Sequence, residues 1–183
     1  LSNKLGGDSP LWAEAEMGIG VCDAEAGNLL DAERHFHDSH HAFKARGARR
    51  QQLQLANNIV ALKIDQGKLQ EAKALAEEVL STTEQFRDSA VRIFCKNNLG
   101  YVCLRLGDFT RARECYASLF QDSRMCGNRR MMSFASAGLA DSLAGDGQFP
   151  EALEQAKASL RIAAAIGEGH EMGVSLLSLA EVL

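Results

Sequence analysis

The chain has 183 residues, 46% of them hydrophobic, with a formal net charge of -4 and a pI near 5.7. That is enough apolar material for an ordinary folded domain and too much for a disordered one. The acidic balance and the lack of a Lys/Arg block argue against direct nucleic-acid binding, which depends on counterions released around positive charge. Nowhere is there an apolar run of membrane-spanning length. Five cysteines, Cys22, Cys95, Cys103, Cys115 and Cys126, are odd in number and lack Cys-x-x-Cys spacing. They fit neither a disulfide framework nor a zinc knuckle, and read as reduced thiols of a cytoplasmic protein.

The opening LSNKLGGDSP has no initiator Met, no basic n-region and no apolar h-region, so the chain reads as a fragment of a longer protein. In chain order, apolar residues at helical spacing (Ala15, Ile19, Cys22) lead to Gly27, and a second stretch leads to Gly47. The pattern then repeats with a period of forty. Gly27, Gly67, Gly107 and Gly147 are each followed two residues later by Leu29, Leu69, Phe109 or Phe149, and five residues later by Ala32, Ala72, Ala112 or Ala152. The other glycine series runs Gly7, Gly47, Gly127 and Gly167, with Arg87 as the exception.

Leu55, Ile59 and Leu62, then Cys95, Leu99 and Val102, carry the same helical stripe in later copies. Each copy is thus helix, tight turn, helix, looser turn. Glycine suits both turns because the residue after a helix end often needs positive φ. Pro10 and Pro150 fall in first turns, where a missing N–H is tolerated. No sustained alternation of β-branched residues signals a strand.

NNLGYVCLRLGDFTRARECY, Asn97 to Tyr116, resembles a tetratricopeptide repeat through Leu99-Gly100, Gly107-Asp108-Phe109, Ala112 and Tyr116. GIGVCDAEAGNLLDAERHF, NIVALKIDQGKLQEAKALA and GLADSLAGDGQFPEALEQA extend the likeness over nearly the whole chain. The period exceeds the family's commoner thirty-four, and the tyrosine expected four residues before the turn glycine is replaced by Asp23, Lys63, Cys103 and Leu143. Longer repeats of this kind are similar to those of Pins-type adaptors, kinesin light chains and large bacterial signalling proteins and transcription regulators.

The resemblance implies an all-α, right-handed solenoid of antiparallel helix pairs. Its repeats would lie at 8–47, 48–87, 88–127 and 128–167, with residues 1–7 ending a preceding repeat and 168–183 beginning a fifth. Uncapped ends would permit a homo-oligomer.

The segment HFHDSHH, His35 to His41, raises the question of a metal site, since His37 and His41 stand one helical turn apart. The forty-residue register puts His37 with Glu77, Ala117 and Lys157, and His41 with Ser81, Gln121 and Arg161, all solvated columns. His40 aligns with Leu80, Phe120 and Leu160, an inward column, and should point away from the other two. A third protein ligand is not supplied, so neither a metal nor another cofactor is expected.

GEGHEMG, from Gly167 to Gly173, follows a helix and not a strand, which excludes a phosphate loop. His170-Glu171 lacks the second zincin histidine, and the cysteines fall mostly in core columns, Cys22 with Leu62 and Val102. The chain is therefore expected not to be an enzyme.

In solenoids of the family it resembles, first helices line the concave groove. Asn58 and Asn98 share one column there and Asn57 and Asn97 the next, with Phe94, Lys96, Tyr101, Arg105 and Asp65 on adjoining positions. Asparagine offers both a donor and an acceptor, so such a ladder can pair with an extended peptide backbone. The alternative is that these asparagines satisfy neighbouring helices or face water, and Gly18 and Gly138 occupy the column elsewhere.

Arg49, Arg50, Arg92, Arg129 and Arg130 cluster near first-helix starts, against the helix dipole. Either they are solvated surface or they form a rim for an acidic partner. The expected function is noncatalytic binding of a protein or peptide segment. The alternative is a regulatory or sensor arm acting on a neighbouring ATPase, cyclase or DNA-binding domain of the same chain.

Overall fold

The computed structural model describes residues 9–86, 89–167 and 169–182. Among them lie nine helices and no strand: α1 (Pro10–Glu25), α2 (Leu29–Ala45), α3 (Arg49–Asp65), α4 (Leu69–Phe86), α5 (Ser89–Arg105), α6 (Phe109–Met125), α7 (Arg129–Gly145), α8 (Phe149–Ile166) and α9 (Gly169–Val182). The protein is an all-α helical-repeat solenoid.

Six of the connections are three residues long and share one construction. Gly27, Gly47, Gly67, Gly107, Gly127 and Gly147 all have φ between 64° and 82°, the left-handed region expected of them. At the α5–α6 turn, Gly107 N–H donates to Leu104 O at 3.0 Å and Asp108 N–H to Cys103 O at 2.9 Å. This paired bond closes the orphan carbonyls of the helix end. The same pair recurs around Gly27, Gly47, Gly67, Gly127 and Gly147. Gly167 also has positive φ, whereas Gly7 and Arg87 lie outside the described residues. Both prolines sit in first turns, of α1 and α8.

The chain divides into two compact units, residues 1–91 and 92–183. Within the first, α2 packs on α1 and α3, and α3 on α4. Within the second, α7 packs on α6, α8 and α9, and α8 on α9. The alanine column of Ala32, Ala72, Ala112 and Ala152 is fully buried, so small apolar side chains mark a core position in every copy.

Packing at the neighbouring positions varies. A Cβ on Gly20 would stand 2.6 Å from the Phe36 ring, and one on Gly100 would stand 2.9 Å from the Tyr116 ring. The matching positions in the other copies hold Val60 with Ala76 and Ala140 with Ala156, all buried. A wide ring facing a glycine thus alternates with two modest side chains. Tyr116 also meets Gly138 of α7, where a Cβ would stand 2.3 Å away.

Two expectations need correction. Cys22 is exposed, as are Ala15 and Ile19, although Leu55, Leu62, Cys95, Leu99 and Val102 in the matching columns are buried. Helix α1 turns Ala13 and Gly20 toward α2, and among the described residues no helix covers its Ala15-Ile19-Cys22 stripe. His40 is exposed too, with its ring 6.0 Å from that of His41. The inward column is one residue earlier: Ser39, Val79, Leu119 and Ser159 are all buried. Ser39 donates to Ala13 O at 2.8 Å and Ser159 to Ser133 O at 2.9 Å, which lets a hydroxyl occupy a core position.

Candidate functional site

Helix α5 presents Phe94, Asn97, Asn98, Tyr101 and Arg105 at spacings of three, one, three and four, which gathers them on one helical face. Phe94 is 46% exposed and Tyr101 42%, while both asparagines are half-buried. Arg105 folds back one turn: its Nη1 donates to the Tyr101 hydroxyl at 3.2 Å, and its guanidinium carbon stands 5.7 Å from the ring centroid. The pair forms a prearranged aromatic-cation surface.

Helix α7 repeats the theme at Phe134, in the column of Phe94. The Arg130 guanidinium lies 5.8 Å from the Phe134 ring, which meets His170 of α9 edge-on at 5.9 Å. Asp141, in the column of Tyr101, accepts a hydrogen bond from Ser178 of α9. Phe134 and His170 were not anticipated as site residues. The column shared by Phe94 and Phe134 was the available signal.

The remaining candidates sit on other helices or on other faces of α5. Asn57 and Asn58 are half-buried on α3 in the first unit, and Asp65 is exposed near its end. Lys96 points instead at α6. It is 8% exposed, and its Nζ donates to Ser118 Oγ at 2.7 Å and Asp122 Oδ2 at 2.6 Å. Arg92 shares that carboxylate through Nε at 3.1 Å, so both cations are engaged internally. Arg49 and Arg50 are exposed at the start of α3, and Arg129 and Arg130 at the start of α7. Arg130 stacks on Phe134, whereas Arg129 lines a different recess with Arg124 and Arg161.

The histidines divide. His37 and His41 are exposed, with their Nε2 atoms 3.1 Å apart. His35 is clamped between Glu16 and Asp23 on the α1–α2 interface. Among the described residues no three metal-ligating side chains converge. Nor is any helix of the described residues long and apolar enough to cross a membrane. The positions that depart from the repeat pattern have separate uses: Asp23 meets His35, Lys63 donates to Glu71 at 2.6 Å, and Cys103 is buried.

Helix pairs, shared glycine turns and an exposed first-helix face define a helical-repeat scaffold that presents side chains without enclosing them. Residues 51–121 match the tetratricopeptide repeat model. No curated protein sequence matches the chain.

Among solved structures, a Rap protein complexed with competence and sporulation factor is similar over 99% of this chain and 50% of its own, at TM-score 0.85 and 13% identity. The apo form of RapI is similar over 93% and 62%, at TM-score 0.79 and 9% identity. A putative kinesin light chain of Podosopora anserina, with nearly identical repeats, is similar over 96% and 87%, at TM-score 0.75 and 16% identity. These likenesses concern the fold. The chain spans about half to three-fifths of the length of the two Rap chains.

Proposed function

We propose that the protein is a noncatalytic, cytoplasmic interaction module that holds a segment of a protein partner on its first-helix faces. The observation that carries this is the α5 face, where two nearly half-exposed aromatics flank Asn97 and Asn98 and end at Arg105. Exposed aromatic rings and arginine are the usual anchors of protein interfaces, and here the helix fixes their geometry before binding. The asparagines would pair with the partner's backbone, and Asn57 and Asn58 would do the same on α3 in the first unit. Arg49, Arg50 and Arg130 would favour acidic neighbours, and Asp65 basic ones. Five free thiols suit a reducing compartment.

The test is affinity capture from source lysate with the chain as bait, beside an Asn98→Ala/Tyr101→Ala variant that melts at the same temperature. A partner recovered by the native chain and lost by the variant supports the α5 face. Retention by both moves the site elsewhere.

A second reading is a sensor arm that regulates a neighbouring ATPase, cyclase or DNA-binding domain. The similarity to a Rap protein complexed with competence and sporulation factor favours it. Failure to capture any partner, together with a ligand-dependent change in such a domain, would select this reading.

A further inference from the structure

On the other side of α7 from Phe134, the α6–α7 turn and α8 enclose a recess of about 450 Å³. Arg124, Arg129 and Arg161 line it over a floor of Met132, Ile162 and Ala165. All three arginines are exposed and none forms an ion pair among the described residues. Glu154, two turns back on α8, is engaged by Lys157 at 2.9 Å. Arg124 alone would be explained by the negative end of α6, but Arg129 opens α7, where the helix dipole opposes it. Three like charges around one recess, with no lining carboxylate among the described residues, repel one another and favour an anion.

The first unit provides an internal comparison. A recess of about 250 Å³ there is lined by Arg49, Gln52 and Thr82, the counterparts of Arg129, Met132 and Ile162, and also by Ala56, Ile59 and Glu78, the counterparts of Ser136, Leu139 and Ala158 on the neighbouring recess of the second unit. The first unit thus has one recess spanning both places, with the Glu78 carboxylate where the second unit has Ala158. Arg161 stands where the first unit has Ser81.

Ile162 also borders a neighbouring apolar recess of about 340 Å³, with Phe120, Leu139 and Ala158 on its walls. A ligand seated on the arginines can thus extend an apolar portion beside them. A nucleic-acid strand would need a longer basic track, and the chain carries a net charge of -4. Guanidinium groups form forked bonds to carboxylates.

We propose that the Arg124-Arg129-Arg161 recess binds an acidic segment of a partner protein whose carboxylates face the arginines and whose adjoining apolar side chains enter the cleft beside Ile162. This site is independent of the α5 face.

The probe is a fluorescein-labelled peptide of two leucines followed by Asp-Glu-Asp, measured by fluorescence anisotropy with the full chain at low salt. Its counterpart carries lysine in place of each acid. The acidic probe should bind at least about tenfold more tightly than the lysine one, with affinity falling as salt rises. Arg161→Glu and Arg124→Glu should each weaken it at least about fivefold, and Arg46→Glu, the same charge change at an exposed arginine of the first unit, should not. Arg161 and Arg124 are both exposed, and thermal melts of their variants confirm folding. Equal binding of both probes, no binding at millimolar concentration, or undiminished binding by Arg161→Glu overturns the assignment. So does competition in which inorganic phosphate or a single-stranded oligonucleotide outbinds the peptide at these arginines.

Discussion

At the residue scale, Tyr116 shows why small side chains stand where they do. Its ring lies against Gly100 of its own helix pair and Gly138 of the next, with no room for a methyl at either backbone. Gly138→Ala forces the ring or α7 to move and should destabilise the chain by about 1–3 kcal/mol in urea unfolding. This holds even though alanine is the better helix former. Cys115 offers a second test. Burial pushes its thiol up to about 11, so the folded chain keeps this proton where the unfolded chain has lost it. Stability should therefore fall as pH rises from the ordinary thiol range to about 11, and Cys115→Val should flatten that slope. Iodoacetamide at pH 8 should label exposed Cys22 and Cys126 before buried Cys95, Cys103 and Cys115, as mass mapping would show.

At the element scale, the turns were the most legible part of the sequence. A residue that must adopt positive φ leaves a glycine behind, and a fixed spacing made the series visible. Gly107 and Gly18 separate that backbone requirement from mere smallness. Neither has an atom within 4 Å of an added Cβ, but only Gly107 has positive φ, at 75°. Gly107→Ala should cost about 1–2 kcal/mol. Gly18→Ala, at an exposed position inside α1, should stabilise by about 0.5–1 kcal/mol, and paired thermal melts would give the opposite signs. Burial on each helix was less legible. Register places residues in columns, but a column is buried only where another helix arrives, which is why Cys22 and Ile19 differ from Leu62 and Leu99. The His40 misplacement was a one-residue error, because serine at positions 39 and 159 disguised the true core column.

At the scale of the whole molecule, the forty-residue period made the repeat class readable, and the α5 residues could be gathered from spacing alone. Polar pairing across helices could not. Nothing in the pattern predicts that Lys96 turns to Asp122, or that Ser133, Ser159 and Ser175 meet within hydrogen-bond distance inside the second unit. The arginine recess was equally hidden, since Arg124 and Arg161 lie in columns that look merely solvated.

Repeat arrays are stabilised mainly by neighbour contacts, so a defect should stay local. Asp122→Ala leaves the buried Lys96 ammonium without its carboxylate and should weaken the α5–α6 contact by about 1–3 kcal/mol. Hydrogen exchange should quicken in α5 and α6 while α1 and α2 keep their protection.

The alternation of ring-and-glycine pairs with modest pairs bears on how similarly built hairpins avoid pairing with the wrong neighbour. Were α8 to dock on α5 in place of α6, Ala156 would leave the hollow at Gly100 unfilled. Were α6 to take the place of α8 on α7, Tyr116 would collide with Ala140. Each helix thus carries an address that the adjacent hairpin does not satisfy, which discourages slips by one repeat.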